Sequence, residues 1–444
     1  MRTIGRETLS QTQPQPATHP SPADADVVII GGGMSGIAAA LAARQAGSRV
    51  LLAERHGFLG GAATAGSVAQ FVGWTTRSGR KVIRGVAEQI TERLVREEGA
   101  HGLGTFVMST GHLMNRVEYD PEILKTVLDD LLAEAGVTVL FHATLCGVRM
   151  TGNHLTSVQI ASQKGPLDLQ ARCFIDATGD MALLGATGAR FLEAGAAGPQ
   201  PATMMFAMSP VDFTRLDKVS AEERRHIVQQ GLTSGDLPRA ALHYSRVPGA
   251  DVAWFNISRV TVDATDPFSM SAGEMEGRRQ ARRIARFLRH NLPGCEAARL
   301  CQTAPQLGVR DTRRTAGDYV LTADDLRAGR VFEDTVCCGA YPIDIHHADG
   351  AGLTIEEFGE DHFYRIPYRS LLPVGLNNIA AAGRGISAEA DAFAAVRVMP
   401  TAMAIGQAAG FAAALAGRDQ GDFRSVDIAE LQAGLRQQNA FLGN

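Results

Sequence analysis

Apolar segments of strand length alternate along this chain with alanine-rich or amphipathic segments of helix length. Residues 26–30 and 50–53 are short runs dominated by valine, isoleucine and leucine, as strands buried on both faces require. Between them, residues 37–46 are rich in alanine, which predicts a helix with little bulk that can approach a sheet closely. The order strand, helix, strand predicts a βαβ unit with parallel strands at the start of the folded chain.

The pattern further along predicts a meander and a return to the same sheet. Residues 121–136 carry apolar side chains at helical spacing, which predicts an amphipathic helix. Four short apolar segments follow and predict strands near residues 137–141, 145–150, 155–160 and 167–169. Two more predicted strands end at Asp176 and Ala382, so we expect an α/β fold with a parallel sheet and a β-meander.

Two segments need to be distinguished from targeting and membrane signals. Residues 398–417 contain no charged side chain, but they include Pro400 and Gln407 and consist mainly of alanine and glycine. We predict a helix buried in a globular core rather than a membrane span. Residues 1–25 contain no apolar run of the kind found in export signals, and their composition predicts a disordered tail. We therefore expect a cytoplasmic protein with no membrane partner.

Composition narrows the functional classes. Of the 444 residues, 45% are hydrophobic and 20% charged, which excludes disorder of the whole chain. The formal net charge of −4 gives no reason to expect a nucleic acid as partner. Glycine is abundant, with 48 residues, as tight turns or a ligand against the main chain require. The six cysteines lack C-x-x-C spacing, so we predict no metal centre. For the adjacent Cys337 and Cys338 we predict two buried thiols, and a strained disulfide is the alternative.

The first βαβ unit carries a dinucleotide-binding motif. Gly31, Gly33 and Gly36 follow the first predicted strand in the order G-x-G-x-x-G, and Glu54 closes the second strand. Gly31 allows the tight turn, Gly33 leaves room for a pyrophosphate, and Gly36 lets the helix approach the sheet. We expect the start of the helix, which includes Ser35, to face the phosphates, and Glu54 to accept hydrogen bonds from ribose hydroxyls.

The residues after Glu54 favour FAD over NAD. Arg55 comes next, and Gly60, Gly61 and Ala62 follow a few positions later, which resembles the FAD-binding flavoproteins of the glutathione-reductase-like structural class. In that class the added glycines let the backbone approach the pyrophosphate and the flavin. An ordinary glycine-rich loop is the alternative interpretation. Disulfide reductases of the class place paired cysteines at this point, and this chain has none, so their chemistry is excluded.

Later segments look like further contacts to the same cofactor. Thr178 and Gly179 follow an apolar strand in the sequence Ala-Thr-Gly-Asp, which looks like the second flavoprotein fingerprint. In related flavoproteins the strand near Leu145 reaches the adenine, and this position is assigned by that resemblance.

A third segment combines a glycine turn with the start of the charge-free helix. Gly383 and Arg384 form the predicted turn, and the helix begins near Thr401 and Ala402. Its N-terminus would face the flavin edge on which negative charge collects during reduction, where a helix dipole favours electron acceptance. A buried structural helix explains the composition equally well, but not the Gly-Arg-Gly turn before it.

These motifs together identify a family resemblance that spans residues 26–418. The chain resembles the bacterial FAD-dependent oxidoreductase family, distantly related to the fumarate reductase and succinate dehydrogenase flavoproteins. The matching stretches are residues 31–61, 174–188, 201–212, 307–321, 339–346 and 364–410. The resemblance implies a Rossmann-like FAD-binding domain with a parallel sheet and β-meander, an inserted α+β substrate domain, and FAD held between the two. It does not imply one substrate.

The resemblance also implies domain boundaries. They are a disordered tail at 1–25, the FAD-binding domain at 26–185, the substrate domain at 186–370, the returning FAD segment at 371–418 and a C-terminal helical tail at 419–444. One position departs from the family pattern: relatives often carry a Thr-His-Glu-like triplet where this chain has Glu389, Ala390 and Asp391. Because the imidazole is missing at Ala390, no base is assigned there.

Candidates for catalysis come from the later part of the chain. Asp344 and His346 are two residues apart in an extended segment, so their side chains share one side and form a candidate pair of orienting carboxylate and base. An exposed polar strand end is the alternative. Arg397 is a candidate for stabilising reduced flavin or anchoring an anionic substrate.

A second group of candidates is the arginine cluster near residue 310. Arg310, Arg313 and Arg314 carry guanidinium groups that match a substrate carboxylate, and salt bridges with neighbouring aspartates are the alternative. Residues 274–290 are also rich in arginine, but their apolar stripe favours a solvated amphipathic helix over a nucleic-acid site.

We predict an FAD-dependent oxidoreductase, a dehydrogenase or oxidase, that transfers a hydride from a small organic substrate to flavin N5. Because no second G-x-G-x-x-G follows a strand in the middle of the chain, we expect reoxidation by oxygen or by a separate electron acceptor. A flavin monooxygenase, a non-catalytic relative and a tRNA-binding relative are the alternatives. The oligomeric state stays open and includes a homodimer.

Overall fold

The computed structural model describes residues 25–107, 113–193, 195, 198–347 and 352–443, so the predicted tail lies outside the described residues except for Ala25. The strands are β1 (Val27–Ile30), β2 (Val50–Ala53), β3 (Gln70–Val72), β4 (Gly104–Val107), β5 (Leu113–Glu118), β6 (Thr138–Leu140), β7 (Thr144–Thr151), β8 (His154–Ala161), β9 (Leu167–Leu169), β10 (Cys173–Asp176), β11 (Phe206–Ser209), β12 (Tyr244–Arg246), β13 (Ala253–Phe255), β14 (Arg299–Thr303), β15 (Thr335–Gly339), β16 (Ile343–His346), β17 (Leu353–Glu356), β18 (Tyr364–Pro367) and β19 (Ile379–Ala381).

The helices are α1 (Met34–Gln45), α2 (Val86–Arg96), α3 (Pro121–Ala135), α4 (Ala182–Thr187), α5 (Phe213–Leu216), α6 (Ala221–Ser234), α7 (Pro267–Asn291), α8 (Ala323–Ala328), α9 (Ala390–Val396), α10 (Met399–Ala416) and α11 (Ile428–Gln437). Short 3₁₀ helices lie at Gly61–Ala63, Tyr368–Leu371, Gly383–Gly385 and Phe423–Ser425.

A parallel five-stranded sheet forms the centre of the molecule. Its strand order is β19-β10-β1-β2-β6, and Val27 of β1 lies opposite Cys173 of β10 and Val50 of β2. Every residue of β1, β2 and β10 is buried, because the helices α1, α3 and α10 pack on the sheet. This arrangement confirms the predicted α/β fold with a parallel sheet.

The predicted β-meander is also present. Of the four predicted strands, the first joins the parallel sheet as β6, and the other three pair antiparallel in the order β7-β8-β9. α1 differs from the prediction, since it begins at Met34 instead of residue 37. The reason is that Gly33 adopts the extended conformation of a helix N-cap, with φ −71° and ψ 171°, and the helix follows it directly.

Contact between the backbones of α1 and α10 joins the two ends of the chain. A Cβ atom on Gly406 would lie 2.1 Å from the Ser35 carbonyl oxygen. A Cβ atom on Gly410, one turn later, would lie 2.1 Å from the Ala39 carbonyl oxygen. The two helices therefore approach so closely that only glycine leaves room at these positions.

α10 is the predicted charge-free helix, and it lies inside the protein. Among the described residues it is the one helix whose length and composition would suit a membrane span, with a mean hydropathy of 1.3. However, 83% of its residues are buried inside the protein, against α1, β10 and β15 among others. The structure confirms the predicted helix within a globular core.

The buried hydrophobic side chains form two main clusters. The larger cluster surrounds the parallel sheet and draws on residues 27–184 and 321–442. The smaller one surrounds an antiparallel sheet of order β12-β13-β11-β14 and draws on residues 202–307 together with Ala69. Residues 321–370, which the sequence assigns to the substrate domain, thus pack with the larger cluster, because β15 lies against α10.

Two smaller sequence interpretations are confirmed. The arginine-rich segment lies in α7, where Ile284, Phe287 and Leu288 are buried and most arginines face solvent, so it is an amphipathic helix. Cys337 and Cys338 in β15 are both buried free thiols. Burial raises the pKa of Cys338 to about 12, so this thiol stays protonated at neutral pH.

We expect Gly410→Ala to lower the free energy of unfolding by at least about 2 kcal/mol, because the added methyl group would push α10 away from the Ala39 carbonyl. Chemical denaturation of the full chain measures this change. Gly359→Ala is the matched control, since the nearest atom to a Cβ there, the His362 Cβ, is 3.9 Å away. Equal stability of the two variants would show that the helices do not need this close contact.

Candidate functional site

A cavity of about 630 Å³ lies where the parallel strands end. Gly31, Glu54, Ala177 and Ala382 each follow the last residue of a strand of the sheet, and all four line it. The carboxyl ends of parallel strands meet at one edge, where α/β proteins bind ligands. We name this the larger cavity. Its lining also includes the predicted contacts Gly33, Ser35, Arg55, Gly60, Gly61, Ala62, Thr178, Gly179, Gly383, Arg384 and Ala402.

Gly31 and Gly33 serve different needs in the turn between β1 and α1. Gly31 has φ +105°, and a Cβ atom there would lie 2.5 Å from the Ala177 carbonyl oxygen, so the fold itself requires glycine. A Cβ atom on Gly33 would meet no atom closer than the Gly61 Cα at 4.0 Å, its chain neighbours aside. The space beside Gly33 is therefore part of the cavity, and a side chain there would occupy room that a ligand needs.

The first turn of α1 presents hydrogen-bond donors to the larger cavity. The first N–H groups of a helix lack partners within the helix and lie at the positive end of its dipole. Ser35 also lines the cavity, and its buried hydroxyl has no hydrogen-bond partner among the described residues. A phosphate group supplies acceptors for the N–H groups of this turn, so the turn suits the predicted pyrophosphate contact.

Backbone N–H groups hold the Glu54 carboxylate at the end of β2. The Gly32 N–H donates to Oε2 at 2.6 Å, and the His56 N–H donates to Oε1 at 2.8 Å. Each oxygen keeps a further lone pair, and the side chain lines the cavity. The carboxylate is thus positioned for ribose hydroxyls before any ligand binds.

The loop that contains Gly60 and Gly61 lies against the glycine-rich turn between β1 and α1. The Gly60 N–H donates to the Gly32 carbonyl at 2.8 Å, and Gly60 and Gly61 have φ of +109° and +54°. A Cβ atom on Gly61 would lie 2.9 Å from the Gly33 Cα. The two loops together therefore form a wall of bare backbone, which lets a ligand approach main-chain N–H groups from two sides.

Arg384 is a charged residue in the lining of the larger cavity. Its guanidinium donates to Asp180 Oδ1 at 2.5 Å and to the Val309 carbonyl at 2.8 Å. It also covers Gly179, where a Cβ atom would lie 3.2 Å from the guanidinium carbon. Arg384 is therefore fixed by an ion pair at the predicted position beside the cavity.

Three predicted cofactor contacts lie outside the lining of the larger cavity. Gly36 lies beneath the turn, where a Cβ atom would come within 1.9 Å of the Gly31 carbonyl oxygen, as its predicted packing role requires. Thr401 is fully buried in the first turn of α10, whereas its neighbour Ala402 lines the cavity. Leu145 lies on β7 among the side chains of the larger hydrophobic cluster.

One wall of the larger cavity consists of residues that were not predicted from the sequence as site residues. The residues of this wall come from the part of the chain that surrounds the smaller hydrophobic cluster, and no glycine motif marks them. Gln306 among them accepts a hydrogen bond from Arg55 at 2.7 Å, which ties this wall to the end of β2. The wall consists of Ala264, Thr265, Pro267, Met270, Ser271, Glu274, Gln306, Leu307, Gly308 and Val309.

A smaller cavity of about 160 Å³ adjoins the larger one. The four predicted catalytic residues, Asp344, His346, Arg397 and Arg310, all line it. Asp344 is the only carboxylate among its described lining residues. The two cavities share Ala62, Gly308, Val309, Arg384, Arg397 and Met399. The other lining residues are Val68, Gln70, Val72, Thr203, Met205, Asn256, Tyr341 and Val398.

Asp344 is buried and has one oxygen without a partner. Its Oδ2 accepts a hydrogen bond from the Tyr341 hydroxyl at 2.8 Å and lies 3.5 Å from both His346 Nε2 and an Arg397 nitrogen. Its Oδ1 has no hydrogen-bond partner among the described residues. Burial raises the pKa of Asp344, but the hydrogen bond with His346 and the charge of Arg397 outweigh burial and leave the pKa lowered. The carboxylate is therefore ionised at neutral pH.

His346 lies between an arginine and this carboxylate. The Arg259 guanidinium donates to Nδ1 at 2.5 Å, so Nε2 carries the proton and faces Asp344. Burial lowers the pKa of His346 well below its ordinary value, and the charges of Arg310 and Arg259 add to this effect. His346 is therefore neutral, and both of its ring nitrogens are engaged.

The other two arginines of the predicted cluster lie away from the smaller cavity. Arg314 donates to the carbonyls of Glu193 and Ala388 at 2.7 and 3.2 Å, and Arg313 lies over the Phe191 ring. Tyr341, which is not among the predicted site residues, donates a hydrogen bond to Asp344. Its position follows from the turn before β16, for which the sequence carries no separate signal.

The chain belongs to the FAD-dependent oxidoreductase family. The sequence model described as "FAD dependent oxidoreductase" matches residues 26–435, which confirms the resemblance and FAD as cofactor. No curated protein sequence matches the chain.

Solved structures are similar to this chain at low sequence identity. p-Nitrophenol 4-monooxygenase PnpA from Pseudomonas putida DLL-E4 is 14% identical over 67% of this chain and 70% of its own, with a TM-score of 0.43. A geranylgeranyl bacteriochlorophyll reductase-like protein from Thermoplasma acidophilum is 12% identical over 94% and 82%, with a TM-score of 0.45. The flavin-dependent brominase Bmp2 is 12% identical over 94% and 83%, with a TM-score of 0.45. None of their reactions is carried over to this chain.

We expect Gly33→Val to weaken FAD binding by at least about 100-fold, about 2.7 kcal/mol, because its side chain would fill the space beside Gly61. The unfolding free energy of the FAD-free protein should change by less than about 1 kcal/mol, since no other residue crowds that space. Titration with FAD and denaturation measure the two effects. Gly31→Val is the contrasting variant, and it should also destabilise the FAD-free fold. Unchanged FAD affinity in Gly33→Val would overturn this assignment.

A fall in stability in mild acid is expected from two buried histidines. Burial lowers the pKa of His243 to about 3 and that of His346 well below 6.5, whereas both gain protons near pH 6.5 when the chain unfolds. Because the unfolded chain then binds more protons, the free energy of unfolding falls as the pH drops. Between pH 6.5 and 5.5 we expect a loss of about 1 kcal/mol for each histidine.

Urea denaturation at both pH values measures this loss. His346→Gln and His243→Gln should each remove about half of it, whereas His226→Gln on the exposed face of α6 controls for the change of residue type. A loss that is the same in all four proteins would contradict the assignment of neutral histidines.

Proposed function

We propose that this oxidoreductase dehydrogenates a C–O or C–N bond of a small organic molecule bound in the smaller cavity. One observation carries the proposal: the smaller cavity shares a wall with the larger one and has a single carboxylate among its described lining residues, Asp344, whose Oδ1 has no hydrogen-bond partner among the described residues. A substrate there lies next to the cofactor and next to a proton acceptor, which are the two things that dehydrogenation needs.

The residues of the larger cavity suit FAD. Gly33, Ser35 and Gly61 surround the predicted pyrophosphate position, and Glu54 is the predicted acceptor for the ribose hydroxyls. The start of α10 lies at the wall between the cavities. Bound FAD supplies the capacity to accept two electrons from the substrate and to release them to oxygen or a separate acceptor. A helix N-terminus at the shared wall favours negative charge there.

Asp344 is the group that we assign to accept the substrate proton. Its Oδ1 has no hydrogen-bond partner among the described residues, and the carboxylate is ionised at neutral pH, so it can take a hydrogen bond from a substrate O–H or N–H. His346 is a poorer candidate, because Arg259 occupies its Nδ1 and its Nε2 carries a proton and faces Asp344. We therefore assign to His346, with Tyr341, the role of positioning the carboxylate.

The remaining walls keep the substrate away from water. Val68, Val72, Met205, Val398 and Met399 bring apolar surface to the smaller cavity. A dry site strengthens the interactions between the substrate and the charged groups around it. The polar side chains that complete the lining, Asp344 and Arg310 among them, orient the small molecule.

Anaerobic reduction of the FAD-loaded protein tests the function. We expect that small alcohols, amines, hydroxy acids and amino acids include a substrate that bleaches the flavin absorbance and yields a product with two hydrogens fewer. Product that carries oxygen from ¹⁸O₂, formed only with an external reductant, would overturn the proposal in favour of a monooxygenase.

We expect Asp344→Asn to slow this reduction by about 10²- to 10⁴-fold while FAD stays bound, because the amide cannot take up the proton. Stopped-flow absorbance measures the rate. Asp334→Asn is the matched control, since Asp334 is similarly buried but pairs with Arg369 away from both cavities. A rate in Asp344→Asn within threefold of the unmodified protein would contradict the role of Asp344.

A further inference from the structure

The surroundings of the smaller cavity hold more positive than negative charge. Arg310 lines the cavity, Arg259 contacts its lining residue His346, and Arg239 contacts its lining residue Asn256. Arg239 and Arg259 are only 5% and 7% exposed. With Arg397, four guanidinium groups lie around the one carboxylate of Asp344.

Three of these four guanidinium groups have no carboxylate within 4 Å among the described residues. Arg310 donates to the Pro201 carbonyl at 2.6 Å, the Thr203 hydroxyl at 2.7 Å and, more weakly, the Asn256 side chain at 3.4 Å. The other contacts are equally uncharged, since Arg239 donates to the Asn256 carbonyl at 2.9 Å and Arg259 donates to His346. Arg384 differs, because Asp180 balances its charge.

Buried charge without a counter-ion is costly. Transfer of an ionised group out of water is unfavourable unless an opposite charge accompanies it, and like charges close together add repulsion. Burial, together with the charges of neighbouring arginines, lowers the pKa of both Arg239 and Arg259 to about 9. Such a cluster is expected where a ligand brings the missing negative charge.

We infer that the smaller cavity binds the carboxylate of an anionic substrate, with Arg310 as its direct partner and Arg259 and Arg239 as supporting charges. This inference rests on the proposed function, since it names the substrate class of the same site. Arg310 already uses neutral acceptors for part of its guanidinium, which fixes its orientation toward the cavity. The bound carboxylate contributes the negative charge that the described residues lack.

The volume of the smaller cavity and the positions of its hydrogen-bonding groups restrict the substrate class further. The cavity of about 160 Å³ is close to the volume in which a benzene molecule fits in a protein interior, so it holds a molecule of about six to ten non-hydrogen atoms. A ligand with its carboxylate at Arg310 and an O–H or N–H at the free oxygen of Asp344 is a small hydroxy or amino acid. A phosphate ester of that size would leave little volume for the bond to be oxidised.

Binding of benzoate and of its neutral isostere benzamide to the FAD-loaded, full-length protein tests the inference without turnover. We use benzoate in chloride-free buffer and read both the absorbance change of the bound flavin and the midpoint of thermal unfolding. The expected result is benzoate binding at least tenfold tighter than benzamide binding. Equal affinities, no binding of benzoate, or tighter binding of inorganic phosphate would overturn the carboxylate assignment.

Arginine variants locate the bound anion. Arg310→Met should weaken benzoate binding at least tenfold, whereas Arg313→Met, the matched control outside both cavities, should leave it unchanged. Arg239→Met should weaken it less and should not lower the unfolding midpoint without benzoate, because it removes an unbalanced charge. Unchanged affinity in Arg310→Met, or a lower midpoint in Arg239→Met without benzoate, would overturn the inference.

The outcomes separate this inference from the proposed function. Arginine-dependent benzoate binding without oxidation of any hydroxy or amino acid would support the anion site and contradict the proposed dehydrogenase function. Oxidation of neutral alcohols or amines, with no preference for acids and no benzoate binding, would contradict the anion site alone.

Discussion

The close contact of main chain around the first turn of α1 is the constraint on which the rest of the structure depends. A Cβ atom on Gly36 would lie 1.9 Å from the Gly31 carbonyl oxygen, and one on Gly406 would lie 2.1 Å from the Ser35 carbonyl oxygen. Segments almost 400 residues apart in sequence thus meet without side chains between them. This contact places the start of α10 beside the start of α1, so two helix N-termini face one cavity.

That contact also joins the larger cavity to the smaller one. Once α10 is fixed against α1, Arg397 and Met399 at its beginning lie in the wall that the two cavities share. Arg397 then reaches Asp344 on β16, at 3.1 Å to its carbonyl and 3.5 Å to its carboxylate. The close packing of two helices therefore sets the distance between the larger cavity and the only carboxylate that lines the smaller cavity within the described residues.

The two cavities use different chemistry because they are built from different parts of the chain. Glycine and alanine make up twelve of the thirty described residues that line the larger one, many of them in the motifs at the strand ends, which suits phosphates and sugars. The smaller one receives charged side chains, Arg310 from the loop after β14 and Asp344 from β16, with Arg259 and Arg239 behind them. Asp344 and Arg397 come from the part of the chain around the larger hydrophobic cluster, whereas Arg239 and Arg259 come from the part around the smaller one.

The sequence by itself determined the parallel sheet, the meander, the buried α10 and the glycine-rich turns that line the larger cavity, because these depend on short segments with fixed spacing. Strand, G-x-G-x-x-G, helix and terminal acid lie within 30 residues, so their geometry follows from local backbone chemistry. The spacing of Asp344 and His346 likewise indicated a pair on one side of a strand. What each of them can do was decided only by tertiary structure, since Arg259 lies 87 residues from His346 and yet occupies its Nδ1. Electrostatic roles depend on the charges and burial that distant segments bring together, and no local pattern contains that information.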